Sequence, residues 1–210
     1  MTRTTTVLLG SALALTVGAG TQVALYHHNH SASSTSAVRA SWTFTPHTSA
    51  EVRARAQSIV LGRIDTVTAG PDIVTAQPGE PGGLDRIPTR RVSVTVLTSY
   101  KGAAAAGQHL TLFQTGGTAS QPAAPAKGSG AGQSNVQQVV LEGDPDYRAG
   151  EQYLLMLEAG PQATLRPVSP EGRYLIDSRT GALTPMVRNE VTQQLAAQQL
   201  AALEPTLRAS

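Results

Sequence analysis

Three histidines, His27, His28 and His30, form the densest set of metal-ligand side chains in the chain. Imidazoles this close bind zinc or copper when a second layer of residues orients them. Here they sit in a Ser-, Thr- and Ala-rich stretch that runs to Ser41 and offers no such layer, so they read as part of a polar tether. Glu142, Asp144 and Asp146, in Leu141-Glu142-Gly143-Asp144-Pro145-Asp146-Tyr147, show the alternating carboxylates of an oxygen-ligand calcium loop. Their spacing is not that of an EF-hand, and with Gly143 and Pro145 interleaved the stretch reads as an acidic turn. Serine hydrolysis on an α/β scaffold needs a Gly-x-Ser-x-Gly elbow, which is missing. His109 reads as the solvated start of a strand and His47 as the residue before a helix cap, so neither is taken as a base. Glu151 lies among apolar neighbours but at a turn, where a hydrogen-bonded gatekeeper is expected rather than a buried acid. Walker, dinucleotide and metalloprotease motifs are absent as well. No residue is therefore assigned a catalytic, cofactor-binding or metal-binding role, and no cofactor is expected.

The elements around these residues read mainly as strands. Thr48-Ser49-Ala50-Glu51 has capping-box spacing, which predicts a short helix running through Arg55 to about Gln57. Ile59 to Val67 is β-branched and predicts a first strand, and Gly70 to Thr89, rich in Pro and Gly, predicts a long connection. Arg91 to Leu97 alternates strictly, placing Val92, Val94 and Val96 on one buried face. Leu110 to Phe113 follows as a strand that Gly116-Gly117 stops. Residues 116–135 are too poor in large apolar groups to offset their ordering entropy and are expected to be disordered. Val136 to Leu141 resumes strand character. Tyr153 to Leu157 is apolar on both faces and predicts the most central strand. Ala163 to Val168 and Gly172 to Asp177 close the series. From Pro185 to Leu207 the composition is helical, but Val187, Val191 and Leu195 lie on one side of a wheel and Ala196, Leu200, Leu203 and Leu207 on another. Either this helix packs twice on the same domain or it breaks near Leu195.

Composition sets outer limits. Apolar residues are 40% of the chain and charged residues 14%, low against the usual quarter or so. A formal net charge of +2 with scattered arginines lacks the dense basic stripe a nucleic-acid surface requires, so no nucleic-acid partner is expected. The absence of cysteine removes disulfides, thiolate metal sites and a cysteine nucleophile together. At the N-terminus, Arg3 precedes Val7 to Tyr26, mostly aliphatic and small, and no further charge occurs before Arg39. As a helix these residues would rise about 30 Å, the hydrocarbon thickness of a bilayer. Val17-Gly18-Ala19 also offers small residues at a spacing that signal peptidase accepts. Residues 1–26 are thus expected to be a signal peptide or an N-terminal membrane anchor with the rest of the chain outside the cytoplasm. Residues 27–47 follow as a polar tether, 48–184 as a β domain and 185–210 as a C-terminal helix. Trp42 and Phe44, just after the tether, could rest at a membrane interface or pack on the domain as a short extra strand, and the strand is preferred.

Five or six short strands with a helix at each end predict a small antiparallel OB-like β-barrel, with a β-sandwich as the alternative. Val60-Leu61-Gly62-Arg63-Ile64, Val94-Thr95-Val96 before Tyr100-Lys101-Gly102, Gly116-Gly117, and Gly150-Glu151-Gln152-Tyr153-Leu154-Leu155 together resemble a group of uncharacterised bacterial exported proteins. Their barrel is similar to the OB-type fold of netrin and tissue-inhibitor modules. The resemblance spans about Ser58 to Asp177 and implies a fold, not an activity. It departs from the animal modules in lacking their cysteines and in the length of 116–135. The expected function is a non-enzymatic binding module of the cell envelope, secreted or membrane-anchored, that contacts an envelope protein or peptide through its barrel face and long loops. The alternatives are a cell-wall hydrolase whose site joins Glu151, an acid near Asp144 and His109 in space, and a membrane-tethered structural protein.

Overall fold

The computed structural model describes residues 14–17, 21–25, 35–76, 84–120 and 136–209. Strands β1 (Ala14–Val17), β2 (Thr21–Leu25) and β3 (Thr35–Trp42) pair in sequence as an antiparallel ladder. The described part of Val7–Tyr26 is thus strand, which corrects the expectation of one continuous helix. Thr16, Val17, Thr21 and Val23 are β-branched and favour pleated backbone, and Gly18 and Gly20 weaken any helix between them. No helix among the described residues is long and apolar enough to cross a membrane. Within the expected tether over 27–47, Thr35–Trp42 form β3 and residues 27–34 lie outside the described residues. His27, His28 and His30 lie outside the described residues.

Helix α1 (Ser49–Arg55) begins where the spacing predicts. The Thr48 hydroxyl accepts from the Glu51 amide at 3.2 Å, and the Glu51 carboxylate accepts from the His47 amide at 2.8 Å. At its other end Lys101 Nζ donates to the carbonyls of Arg53 and Ala54, occupying groups that helix geometry leaves unpaired. Strand β4 (Ser58–Ala69) follows. The connection expected over Gly70 to Thr89 holds a hairpin that alternation did not reveal, β5 (Ile73–Ala76) with β6 (Leu84–Ile87). Then come β7 (Thr89–Lys101), β8 (His109–Thr115), β9 (Gly117–Ser120), β10 (Val136–Glu142), β11 (Gln152–Ala159), β12 (Leu165–Pro167), β13 (Arg173–Ile176) and β14 (Leu183–Pro185). Strand β9 falls inside the expected disordered loop 116–135, which is corrected for those four residues; 121–135 lie outside the described residues.

Five of these strands close a ring. β4 pairs with β7 and β11, β7 with β8, β8 with β12, and β12 with β11. Numbered within the ring, the order is 1-2-3-5-4, with a parallel contact between the third and fifth strands, so the domain is an OB-like barrel. Three register shifts in the β4–β7 ladder, after Ile59, Leu61 and Ile64, bend β4 around the barrel as bulges do. β13 and β14 extend the sheet from the other half of the β11 edge, outside the ring. At Gly116 the chain turns out of β8 with φ +110, and a Cβ there would lie 2.9 Å from the Val139 carbonyl, so only glycine fits. β9 then pairs with β10, which runs parallel to β3.

Alternation along β11 divides the protein into two cores. Tyr153, Leu155 and Leu157 point into the barrel with Val60, Ile64, Val92, Val94, Val96 and Leu112. Leu154 and Met156 point outward to a helical layer, which is why this strand is apolar on both faces. The C-terminal stretch breaks into α2 (Glu190–Ala196) and α3 (Leu200–Arg208), so of the two arrangements expected over 185–210 the break near Leu195 is the one found. Asn189 caps α2 reciprocally with Thr192. The break lets both apolar stripes, Val191 and Leu195 on one helix and Leu200, Leu203 and Leu207 on the other, enter the same core beside Val52 of α1.

Candidate functional site

Three places among the described residues are candidate sites, besides the ion pairs of buried Glu158 with Arg55 and Arg166. The first is one end of the barrel, which the connection between β10 and β11 seals. Tyr147 enters the barrel core there, its ring set edge-on to Tyr153 at 5.3 Å. Arg173, only 2% exposed, lies over the Tyr147 ring at 4.2 Å and places Nη1 2.9 Å from Asp144 Oδ1. Its Nη2 donates to the Pro145 carbonyl, which also accepts from Gln114 Nε2 at 3.1 Å. Burial pushes the Asp144 carboxyl above its ordinary range, with Arg173 opposing that effect. Tyr147 and Tyr153 are also raised, chiefly by burial. Asp146 pairs instead with Arg90. The acidic turn thus sends its two aspartates to different arginines rather than to a shared cation, and the described residues contain no cluster that could hold a metal.

The second place is the outer face of β4, β7 and β8. Asp65 accepts from the Thr95 hydroxyl at 2.7 Å, and His109 Nδ1 stands 3.4 Å from the same carboxylate and 3.3 Å from the Thr95 oxygen. The Thr95 hydrogen bond holds the Asp65 carboxyl below the usual range against a smaller effect of burial. One imidazole nitrogen faces both partners, whereas a catalytic triad needs the hydroxyl and the carboxylate on opposite ring nitrogens. The set is therefore an acceptor network without an activated nucleophile. Glu151 accepts from the Tyr153 hydroxyl at 2.5 Å, as the gatekeeper reading expected. Among the described residues no hydrogen bond or ion pair joins Glu151, Asp144 and His109, the arrangement that would favour the hydrolase alternative.

The third place is open. Where β4 ends and β7 begins, Val67 to Gly70, Asp72, Pro88 to Arg90, Gly117 and Thr118 line a cleft of about 260 Å³. The β5–β6 hairpin stands beside it, and among the described residues its Val74 is the large apolar side chain left well exposed, at 46%. The rim is tied down locally: Thr89 donates to the Pro71 carbonyl at 2.8 Å, and Gly70 N donates to the Thr89 carbonyl at 2.8 Å. Trp42 ends β3, in accord with the extra-strand reading but in the second sheet rather than on the barrel, and Phe44 lies under the Arg55 guanidinium at 5.2 Å.

Sequence reasoning missed Arg173 and Gln114, which hold the sealing connection in place. Gln114 carried a signal: it continues the Leu110-Leu112 period onto the buried face, where a polar residue requires a buried partner. Arg173 had none, because its partner lies far away in the chain. No family model, curated protein or solved structure matches the chain.

Proposed function

We propose that the chain is an exported, non-enzymatic binding module of the bacterial cell envelope, and that the β5–β6 hairpin with the cleft at its base is where it contacts a protein or peptide partner. The observation that carries this reading is the hairpin itself. A two-stranded ribbon is marginal in water on its own, yet this one stands beside an open cleft and leaves Val74 in solvent. The barrel interior is occupied by a cluster of buried apolar side chains, which leaves the outer loops and edges as the surface for a partner. The resemblance to exported OB-type proteins and the apolar segment Val7–Tyr26 support export.

The test places a photo-reactive residue at Val74 or Thr118 of the full chain in cells, with Gln193 on the outer side of α2 as reference. A discrete adduct from the hairpin and cleft positions, absent at Gln193, is expected. Adducts of equal yield at all three positions, or none at the first two, would overturn the assignment. Protease added to intact cells tests export separately, since a chain shielded from it in the cytoplasm contradicts that part of the reading.

A further inference from the structure

Strand β4 runs on past the strand beside it. Its pairing with β11 ends at Arg63, and the last bonds on that side are Ile64 N to the Glu151 carbonyl and Gly150 N to the Ile64 carbonyl. From Thr66 to Ala69 it pairs with β7 on one side and with no described strand on the other. The ladder fixes which main-chain groups face that open side. Gly70 N donates to the Thr89 carbonyl at 2.8 Å, and in an antiparallel pair the residues that exchange such bonds alternate, so Thr68 and Thr66 also face β7. Val67 and Ala69 therefore turn their N–H and C=O groups to the open side. Both line the cleft beside the hairpin, together with Gly117 and Thr118 of β9, itself an edge of the other sheet.

We propose that this cleft takes an extended, uncharged peptide segment of a partner protein, which adds to β4 as a strand and bonds the main chain of Val67 and Ala69. This rests on the reading that the hairpin and cleft contact a protein or peptide, and it specifies main-chain pairing as the mode. The polar side chains of the lining are largely engaged nearby. Thr68 donates to the Arg91 carbonyl and Thr89 to the Pro71 carbonyl, while Arg90 pairs with Asp146 and Asp72 with Arg86. A charged ligand thus meets no unpaired charge among the lining residues. The main chain instead offers two donors and two acceptors at the two-residue spacing of a strand, the pattern by which an extended peptide joins a sheet edge. Ala69, Gly70 and Gly117 carry little or no side chain, which lets a second backbone come close. Proline and lysine, which commonly keep an open edge from pairing, are absent from Thr66 to Ala69.

The probe is a library of displayed linear peptides selected on the full-length protein, and a recovered peptide is resynthesised with one N-methyl group at a time. In an added strand every second N–H faces β4, so N-methylation should weaken binding about tenfold at alternate positions of the bound stretch and be tolerated between them. Ala69→Pro removes a donor that points away from β7, so the ladder should stay intact while binding falls about tenfold. Its urea midpoint checks that the fold is kept, and where it is not, the N-methyl series on the parent protein decides. Gln193→Ala on the outer side of α2 should leave binding unchanged. Peptides that bind regardless of Ala69→Pro, or lose affinity equally at every N-methyl position, would overturn strand addition. Recovery of no peptide would overturn the extended occupant, and a dimer of this chain that Ala69→Pro dissociates would put a second copy on the edge instead. In each of these cases adducts at Val74 or Thr118 in cells would still uphold the contact site, and their absence would remove it separately.

Discussion

A single methyl group at Gly62 should destabilise the barrel, and a compensating change at Val94 should relieve it. A Cβ built on Gly62 lies 2.4 Å from Val94 Cγ1 inside the barrel, about 1 Å closer than carbon atoms approach in packed interiors. Val94 is fully buried and β-branched, so it cannot rotate away without leaving its preferred χ1. Overpacking of this kind costs about 2–3 kcal/mol, against which alanine gains about 0.4–1 kcal/mol by restricting the unfolded chain. Gly62 does not have a positive φ, so backbone strain adds nothing. Gly62→Ala should therefore lose about 2 kcal/mol, or roughly 1 M in urea midpoint at a slope near 2 kcal/mol/M. Val94→Ala alone should cost about 2–3 kcal/mol through lost burial and a cavity. In the double variant the new methyl occupies the space of the missing one, so it should be more stable than Val94→Ala by about 0.5 kcal/mol or more. The four proteins are compared by equilibrium urea unfolding followed by far-UV circular dichroism. A Gly62→Ala midpoint at or above that of the parent, or a double variant that loses the sum of the two singles, would refute the packing argument.

Two further outcomes follow from the polar groups. Arg173→Met leaves the Asp144 carboxylate buried without its cation and should cost about 3–5 kcal/mol in the same unfolding assay; adding Asp144→Leu should recover most of that loss, since a buried pair and an apolar replacement are often nearly equal. A loss below about 1 kcal/mol for the single variant would contradict this account of the sealed barrel end. Thr95→Val removes the hydrogen bond that most lowers the Asp65 carboxyl, so its titration followed by NMR should move up toward the ordinary aspartate value. A depressed carboxyl contributes stability that is present above the unfolded value and is lost as pH falls through the folded one, so the variant should lose its share nearer that ordinary value. An unmoved titration would show that the Thr95 contact is not what holds it down.

Much of the barrel was legible because its strands obey a period of two. Val92, Val94 and Val96 announced β7, the two-sided run at Tyr153 to Leu157 announced β11, and the split stripes after Pro185 announced the break between α2 and α3. The β5–β6 hairpin was not legible. Its strands have four residues each, too short to show a period, and Pro and Gly fill the connection between them. The three strands before α1 were missed because length and hydropathy in Val7–Tyr26 suit a bilayer helix as well as paired strands, and pairing is decided by partners elsewhere in the chain. The same holds for the barrel end. Asp144 could be read as acidic and turn-like, but its destination at Arg173 depends on how β13 lies against β11, a contact between distant segments.

The ring is closed at a narrow place. β8 and β12 share a single parallel pair, Leu112 with Leu165, whereas β4 and β7 pair along most of their length. That seam joins residues far apart in sequence, so its loop-closure entropy is lost before much contact is gained, and it should form late on the folding pathway. Contacts absent from the transition state act mainly on the unfolding rate. Pulled or heated, the barrel would then give way first along β12, and substitutions at Leu112 or Leu165 would hasten unfolding while scarcely slowing refolding.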